Sequence, residues 1–179
     1  MNDIAFWSST PQQGKSTAAE FLELKYGYRR LSFAEPLRSM IGALMASAGL
    51  NYDQVYFYMN EGKEHQIPVV GRSFRDLART LGTEWGRNLV DQDLWTNIAK
   101  QKILEPFNED RVCVDDMRFQ NEADLLRFHG FKLVKVARDT ARQDSHASDT
   151  ALANFEGWDH VIANDGTLEE FYQKIEAIL

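Results

Sequence analysis

Residues 9–17 combine a glycine, a lysine and hydroxyl side chains at a spacing that can hold a chain of phosphates. The stretch matches the phosphate-binding pattern G-x-x-x-x-G-K-[ST] except at Ser9, which stands where the pattern has its first glycine. Gly14 lets backbone N–H groups curl around a phosphate without a Cβ in the way. Lys15 can reach the terminal phosphate oxygens, and the Ser16 hydroxyl can ligate Mg²⁺. The pattern therefore predicts a nucleoside triphosphate site.

A second set of charged side chains follows an apolar run at 112–114. Asp115 and Asp116 end this run, and an aspartate at the end of a buried strand is typical of the carboxylate beside Mg²⁺ in proteins with a phosphate loop. An apolar strand followed by aspartate is also a common turn, so the pattern takes its weight from the phosphate loop. We predict that a carboxylate at this strand end lies near Mg²⁺ together with Ser16, and that Arg118 is carried to the same edge of the sheet.

Arginines recur after the predicted strands and in the middle of the chain. Phosphoryl transfer spreads negative charge over three equatorial oxygens, so cations must surround the transferring group. Each arginine alone is equally consistent with a solvated surface residue, but the set predicts an anion-binding cleft. Its members are Arg38, Arg75, Arg79, Arg87, Arg118, Arg138 and Arg142. Arg138 ends a predicted strand and Arg142 follows in a polar stretch, which predicts a short lid over about 138–150.

The chain has no evident general base. A phosphate acceptor is already an anionic nucleophile at neutral pH, so transfer to a phosphate does not require one. The four histidines are scattered along the sequence, and we predict no zinc site from them.

The elements that would position these residues alternate between strands and helices. Strands are predicted at 4–8, 30–33, 111–115, 131–137 and 160–163. Helices are predicted at 15–26, 36–48, 73–81, 93–104, 121–129 and 167–179, the last with a capping box formed by Thr167 and Glu170. No strand is predicted in the irregular middle, 51–107, where Gly82 and Gly86 are taken as breaks. The alternation predicts an α/β fold with a five-stranded, mostly parallel sheet covered on both faces and with ligands at the carboxyl ends of its strands.

Length, charge and composition narrow the class of protein. The 179 residues suit one compact domain, and the net charge of −7 argues against salt-driven binding to a nucleic acid polymer. No apolar run is long enough to span a bilayer, and the N-terminus lacks the features of a secretory signal. The single cysteine, Cys113, lies in an apolar run and is predicted to be a small buried hydrophobe, so a reducing cytoplasm fits best.

Several longer runs together resemble one family. The run LGTEWGR at 81–87 is far more specific than the phosphate loop. The others lie at 32–34 with 36–38, at 116–122, at 146–149 and at 162–167. Over nearly its whole length the chain is similar to the bacteriophage deoxynucleoside monophosphate kinases, members of the P-loop nucleoside and nucleotide kinase group.

This resemblance implies a single three-layer α/β/α P-loop kinase domain over 1–179, with a helical acceptor-binding region at about 34–107. It implies transfer of phosphate from ATP, with Mg²⁺, to a dNMP in the cytoplasm (the host cytoplasm for a viral chain), without a nucleic acid polymer or a membrane as partner. It further implies that the ATP phosphates are bound by Gln13, Gly14, Lys15, Ser16 and Thr17. The adenine of ATP would lie against Asn164, Asp165 and Gly166. The catalytic set is Lys15, Asp116, Arg118, Arg138 and Arg142. The acceptor set is Arg38, Arg75, Arg79, Glu84, Trp85 and Arg87.

Two positions depart from the family pattern, and both bear on open questions. Ser9 replaces the first glycine of the loop, which concerns the geometry of the turn. Arg79 stands where a glutamine is expected before the run at 81–87, and a residue there could face the base, so we predict an altered base preference. Among the tryptophans, Trp7 is predicted to be core and Trp85 to contact the nucleotide. The accepted bases, the sugar preference and the formation of a homodimer stay open.

Two other functions also stay open on sequence grounds. A P-loop kinase for another small acceptor, such as a coenzyme precursor or a phosphorylated intermediate, would share the ATP half and differ at the acceptor residues. A non-catalytic ATP-binding or regulatory module would use the fold for interaction. The intact Lys15, Ser16 and Asp116 favour catalysis over the second of these.

Overall fold

The main sheet has five strands, and every strand pair in it is parallel. The computed structural model describes residues 2–104, 111–138 and 151–179. In chain order the strands are β1 (Ile4–Trp7), β2 (Arg29–Leu31), β3 (Gln66–Ile67), β4 (Arg72–Ser73), β5 (Val112–Val114), β6 (Lys132–Ala137) and β7 (His160–Ala163). The main sheet has the order β2-β5-β1-β6-β7, and β3 and β4 form a separate antiparallel pair. The predicted five-stranded, mostly parallel sheet is confirmed.

Helices connect most of the strands, as expected for parallel pairing. They are α1 (Lys15–Tyr26), α2 (Glu35–Ser47), α3 (Tyr52–Asn60), α4 (Phe74–Arg79), a π-helix (Thr80–Val90), α5 (Leu94–Ile103), α6 (Gln120–Phe128) and α7 (Leu168–Glu176). The chain divides into two compact units. The first runs up to Ser32 and resumes at Ala99, and the second is Phe33–Ile98. The main sheet belongs entirely to the first unit.

The core of the first unit is built around β1, the central strand, which is buried along its whole length. Side chains alternate across a strand, so Ile4 and Phe6 share one face, where they pack with residues of α1 and α7. Trp7 points to the other face and stacks on Trp158 with ring centroids 5.0 Å apart, which confirms Trp7 as core. Cys113 is also buried, and burial raises the pKa of its thiol to about 12. The prediction of an inert, buried cysteine is therefore confirmed.

Helix α1 begins and ends where its flanking glycines predict. Gly27 adopts a left-handed conformation (φ +70°) and its N–H donates to the Glu23 carbonyl, while the N–H of Tyr28 donates to the Leu22 carbonyl. This is the common glycine termination of a helix, in which the last carbonyls are satisfied by the chain as it turns away. The predicted bounds of α1 are therefore confirmed.

The capping box predicted at the start of α7 is also present. The Thr167 hydroxyl accepts from the Glu170 N–H, and the Glu170 carboxylate accepts from the Thr167 N–H. Two backbone N–H groups at this helix end, which have no carbonyl partner within the helix, thereby donate to side-chain oxygens.

The second unit departs from the sequence-based expectation in three respects. Helix α3 and the β3–β4 pair lie where no regular element or strand was predicted. The π-helix runs through Gly82 and Gly86, so the prediction that these glycines break the chain is wrong. Helix α2 buries Ile41 and Met45 but leaves Met40 and Leu44 exposed, so its buried face is narrower than the apolar spacing indicates.

The reasons for these misses are local. Two-residue strands are too short to produce an alternating pattern. Helix α3 packs Val55, Tyr58 and Met59 against the core, but the exposed Tyr52, Tyr56 and Phe57 on its other sides obscure this apolar stripe in the sequence. Its capping box, formed by Asn51 and Gln54, was the available signal. Among the described residues, no helix is long and apolar enough to cross a membrane.

Candidate active site

The candidate residues of the first unit follow its strands directly. The phosphate loop follows β1, Ser32 follows β2, Asp115 and Asp116 follow β5, and Arg138 follows β6. Because all five strands are parallel, these positions share the carboxyl edge of the sheet, where ligands bind in open α/β sheets.

The loop between β1 and α1 is held by its own polar side chains. The Ser8 hydroxyl donates to the Thr10 carbonyl (2.7 Å), and Nε2 of Gln13 donates to the Thr10 hydroxyl (2.7 Å). Gln13 is only 5% exposed, and Nδ2 of Asn164 donates to its backbone carbonyl (2.9 Å). Two predicted cofactor-binding residues, Gln13 and Asn164, are thus brought together from opposite ends of the chain.

Gly14 occupies a position that no other residue type would fit. Its φ is +108°, and a Cβ placed on it would lie 2.5 Å from Nδ2 of Asn164 and 3.3 Å from the Phe171 ring. Gln12 is also left-handed, with φ +64°. These two left-handed residues, separated by Gln13, curve the backbone into a concavity of the kind that accepts a phosphate. The donor set and the missing Cβ fit a phosphate chain.

The lysine and hydroxyls of the loop lie at the start of α1. Nζ of Lys15 donates to the Ser8 hydroxyl, Ser16 is exposed and Thr17 is half-buried. The positive end of the helix dipole adds to the Lys15 charge, so this turn favours anions. Ser8 was not singled out from the sequence. A serine that ends an apolar strand next to a phosphate loop was its only signal.

The phosphate loop tolerates Ser9 in place of the first glycine of the pattern. Its side chain is exposed, and among the described non-glycine residues only Gln12 has a positive φ. The backbone at Ser9 is therefore in a conformation that a serine adopts without strain.

The two adjacent aspartates after β5 have different partners. Oδ2 of Asp115 accepts from Nη2 of Arg30 (2.7 Å), whereas Oδ2 of Asp116 accepts from the Ser32 hydroxyl (2.6 Å). Asp115 is thus held in an ion pair, and Asp116 is held by a neutral donor from the neighbouring strand end. Ser32 was quoted only as part of a family-like run, and its contact depends on the pairing of β2 with β5.

The segment that carries Arg118 is fixed by a buried carboxylate. Glu122 is 3% exposed, and its Oε2 accepts from the N–H groups of Arg118 (2.6 Å) and Phe119 (3.1 Å). The side chain of Arg118 is half-buried, and Arg138 is exposed at the end of β6. Arg142 and the rest of the predicted lid, 139–150, lie outside the described residues.

The loop after β7 contains the other predicted cofactor-binding residues. Asp165 and Gly166 are exposed, and Nζ of Lys174 donates to both the Ala163 carbonyl (2.7 Å) and Oδ1 of Asp165 (3.2 Å). The hydrogen bond from Lys174 lowers the pKa of Asp165. The loop is therefore tied to α7 on one side and, through Asn164, to the phosphate loop on the other.

The predicted acceptor arginines of the second unit are each held by local partners. Arg38 donates to Oδ1 of Asn60 (2.8 Å) and lies over the Phe74 ring, and Arg75 pairs with Glu64. Arg87 is only 9% exposed, and its Nη1 donates to the Gln92 carbonyl (3.1 Å). Arg79 is half-buried at the end of α4. Their contacts with an acceptor stay predictions.

The remaining acceptor candidates lie on the π-helix. Glu84 is exposed, and the ring of Trp85 is 39% exposed, which is unusual for a tryptophan of a folded domain. π-helical turns occur frequently at functional sites. Among the described residues, no group of three or more His, Cys, Asp or Glu side chains could hold a metal ion by itself.

Comparison with known proteins gives a consistent set of relatives. A family model for deoxynucleotide monophosphate kinase matches residues 51–175. A protein of Acanthamoeba polyphaga mimivirus is 30% identical over 174 residues, covering 90% of this chain and 88% of the relative. The deoxynucleotide monophosphate kinase of Escherichia phage RB69 is 36% identical over 110 residues, which cover 60% of this chain and 45% of the phage protein. Dephospho-CoA kinase from Campylobacter jejuni, a solved structure, has a TM-score of 0.47 at 13% identity, covering 99% of this chain and 96% of that chain.

Proposed function

This chain belongs to the deoxynucleotide monophosphate kinase family, and from that premise we propose that it transfers the γ-phosphate of ATP to a deoxynucleoside monophosphate, giving a dNDP and ADP. The observation that carries the proposal is the backbone concavity at Gly14, followed directly by Lys15 at the start of α1. A loop of this kind binds a phosphate chain, and the family supplies the acceptor.

The donor half of the proposal rests on the first unit. Backbone N–H groups from Gln13 to Thr17 and the Lys15 ammonium would hold the phosphates, and Asn164, Asp165 and Gly166 would lie along the adenine. Ser16 and Asp116 offer the oxygen ligands that Mg²⁺ prefers. When bound, Mg²⁺ neutralises charge that develops on the phosphate oxygens. Ser32 holds the Asp116 carboxylate in one orientation for that purpose.

The acceptor half rests on the second unit. Arg38, Arg75 and Arg87 would bind the monophosphate, and Arg118 would act in catalysis. Glu84 and Trp85 would contact the sugar and the base, because both are exposed on the same π-helix. Arg138 and Arg142 would act from the lid. A phosphate acceptor needs no general base, which agrees with the residues assigned.

A coupled assay for ADP with each of the four dNMPs, and with the corresponding NMPs, tests the proposal. Turnover with at least one dNMP is the expected result. ADP formation with none of them, while ATP still binds, would favour a kinase for another small acceptor. Retained ATP binding with no turnover on any phosphorylated acceptor would favour a non-catalytic module.

Gly14→Ala is expected to raise the dissociation constant for ATP at least tenfold and to lower the free energy of unfolding by about 2 kcal/mol or more. The added Cβ would meet Asn164 at 2.5 Å and would also be forced into a left-handed conformation. ATP titration calorimetry and urea unfolding measure the two effects.

Gly27→Ala is the matched control, because Gly27 is also left-handed but a Cβ there has nothing within 4 Å. It is expected to cost about 1 kcal/mol of stability and to leave ATP affinity unchanged. Equal ATP affinities for the two variants would contradict the assignment of Gly14 to the donor site.

Arg79→Gln is expected to change the ratio of kcat/KM values among the four dNMPs by about tenfold, because a guanidinium presents donors that discriminate between base edges. Arg72→Gln, an exposed arginine on β4 of the same unit, serves as the control. A panel in which Arg79→Gln and the wild type show the same order and ratios of base preference would rule out Arg79 as a base contact.

A further inference from the structure

Trp95, at the start of α5, packs against the π-helix that carries Glu84 and Trp85. Its side chain is 3% exposed, and its Nε1 donates to the Gly82 carbonyl at 2.8 Å. The rings of Trp85 and Trp95 are tilted neighbours, with centroids 6.4 Å apart. The buried indole therefore contacts the π-helix through both a hydrogen bond and its ring.

Gly86 makes room for this indole. A Cβ at Gly86 would lie 2.4 Å from Cζ2 and 2.7 Å from Nε1 of Trp95, so any other residue would displace the ring. Gly82 and Gly86 are four residues apart and thus lie on the same side of the helix. The indole of Trp95 occupies the space that a side chain at Gly86 would otherwise fill, whereas a Cβ at Gly82 would meet Leu37 at 3.3 Å.

The chain folds back so that Trp95 reaches this surface. The Gly86 carbonyl accepts from the N–H of Asp91 (2.9 Å), a spacing of five residues that closes the last turn of the π-helix. Nη1 of Arg87 then donates to the Gln92 carbonyl, three residues before Trp95. The return of the chain is thus anchored to the same helix that Trp95 contacts.

The π-helix needs an external contact to persist. Glycine costs about 1 kcal/mol relative to alanine in a helix, and π-helical geometry is rare over more than one turn. Here two glycines occur within an eleven-residue π-helix. The side chains of Glu84 and Trp85 on the same helix are exposed to solvent. Trp95 is the buried side chain that stabilises the glycine side.

We propose that Trp95 is a positioning residue for the acceptor nucleotide, which holds the π-helix so that Glu84 and Trp85 are presented in a fixed geometry. This inference rests on the proposed function, in which those two side chains contact the dNMP. Trp95 itself touches no substrate. It acts through the backbone at Gly82 and Gly86.

Trp95→Phe keeps a buried aromatic ring and removes the donor to Gly82. It is expected to raise KM for the dNMP about tenfold while KM for ATP stays within about twofold of the wild-type value. Trp158→Phe is the control, because within the described residues Nε1 of Trp158 has no hydrogen-bond acceptor although its ring stacks on Trp7. It should leave both KM values unchanged.

If Trp95 contributed only to packing, Trp95→Phe would leave KM for the dNMP and KM for ATP unchanged, or would raise both together. Either result for Trp95→Phe, or a dNMP KM equal to that of Trp158→Phe, would overturn the proposal. Gly86→Ala is a second route to the same effect, because it displaces the ring and leaves Trp95 in the sequence. It should also raise KM for the dNMP at least tenfold.

Hydrogen exchange of the amides at 80–90 separates this inference from the proposed function. Trp95→Phe should speed exchange in that segment at least tenfold, and Trp158→Phe should not. Failure of the wild-type protein to turn over any of the four dNMPs would contradict the proposed function, and with it the acceptor contact of Glu84 and Trp85. Unchanged exchange at 80–90 would overturn the stabilisation of the π-helix by Trp95, whatever the substrate.

Discussion

Lys15→Ala is expected to lower kcat about 10³-fold while the protein remains folded. The lysine ammonium stabilises charge on the transferring phosphoryl group more strongly in the transition state than in the bound substrate, so its loss affects kcat more than KM. In the structure Nζ of Lys15 donates to the Ser8 hydroxyl, and losing that one hydrogen bond should change stability by only about 1 kcal/mol. Steady-state kinetics and thermal unfolding measure the two quantities.

Lys25→Ala provides the control on the same helix. Lys25 lies in the last turn of α1, at the other end of the helix from Lys15, and pairs with Glu176 at the surface. Its removal should leave kcat within about twofold, since exposed ion pairs contribute little. If Lys15→Ala kept more than a tenth of the wild-type kcat, the loop would not be the donor site. If the Lys15→Ala variant still bound its partners and the wild-type protein had no turnover, the chain would be better described as a non-catalytic module.

Asp116→Asn is expected to lower kcat by about 10²–10³-fold at saturating ATP and to shift the Mg²⁺ concentration needed for half-maximal rate upward by about tenfold or more. The change removes a negative charge but keeps a side chain of the same shape, whose carbonyl can still accept from the Ser32 hydroxyl. The loss is therefore one of metal binding and charge rather than of folding. A Mg²⁺ titration of the steady-state rate measures it.

Asp115→Asn is the matched control, one residue earlier in the chain. Asp115 is committed to an ion pair with Arg30, so its substitution should alter stability slightly and leave the Mg²⁺ dependence unchanged. A larger Mg²⁺ shift for Asp115→Asn than for Asp116→Asn would transfer the metal assignment to Asp115. Equal and small effects for both would contradict a metal ligand at this strand end.

The first unit was predictable because its signals are local. Helix α1 lies between Gly14 and Gly27, and both glycines are required by left-handed backbone conformations. The start of helix α7 is recognisable in the sequence from the capping box of Thr167 and Glu170. The buried strands are continuous apolar runs, which is typical of parallel sheets covered on both faces.

The second unit was harder to predict because long-range contacts decide its local structure. Glycines often end a helix, and here Gly82 and Gly86 continue one, because the indole of Trp95 takes up the space beside Gly86 and donates to the Gly82 carbonyl. The residues next to these glycines in the sequence do not indicate the contact with Trp95. The helix at Tyr52–Asn60 packs Tyr58 against the core but also carries exposed aromatic residues on its other sides, so its helical period is hard to recognise in the sequence.

The candidate site residues also divide into those that local sequence predicts and those that depend on tertiary contacts. Lys15 and Asp116 were identified from residue type and position, because each follows a strand of the sheet. Ser8 and Ser32 were not, because serine is common and only tertiary contact gives it a function here. The arginines were identified as a set, but their individual partners, such as Asn60 for Arg38, come from the folded chain.

The central place of β1 has a consequence for how the protein is made. Strand β1 pairs with two strands that are synthesised far later, since Ile4 aligns with both Cys113 and Lys132. Non-local parallel pairing is slow, because the loop must close before any contact compensates for it. The second unit is continuous in sequence, so its contacts can form during translation, well before β1 finds a neighbour. The phosphate loop also contacts Asn164, so this contact forms only after about 150 further residues have been synthesised.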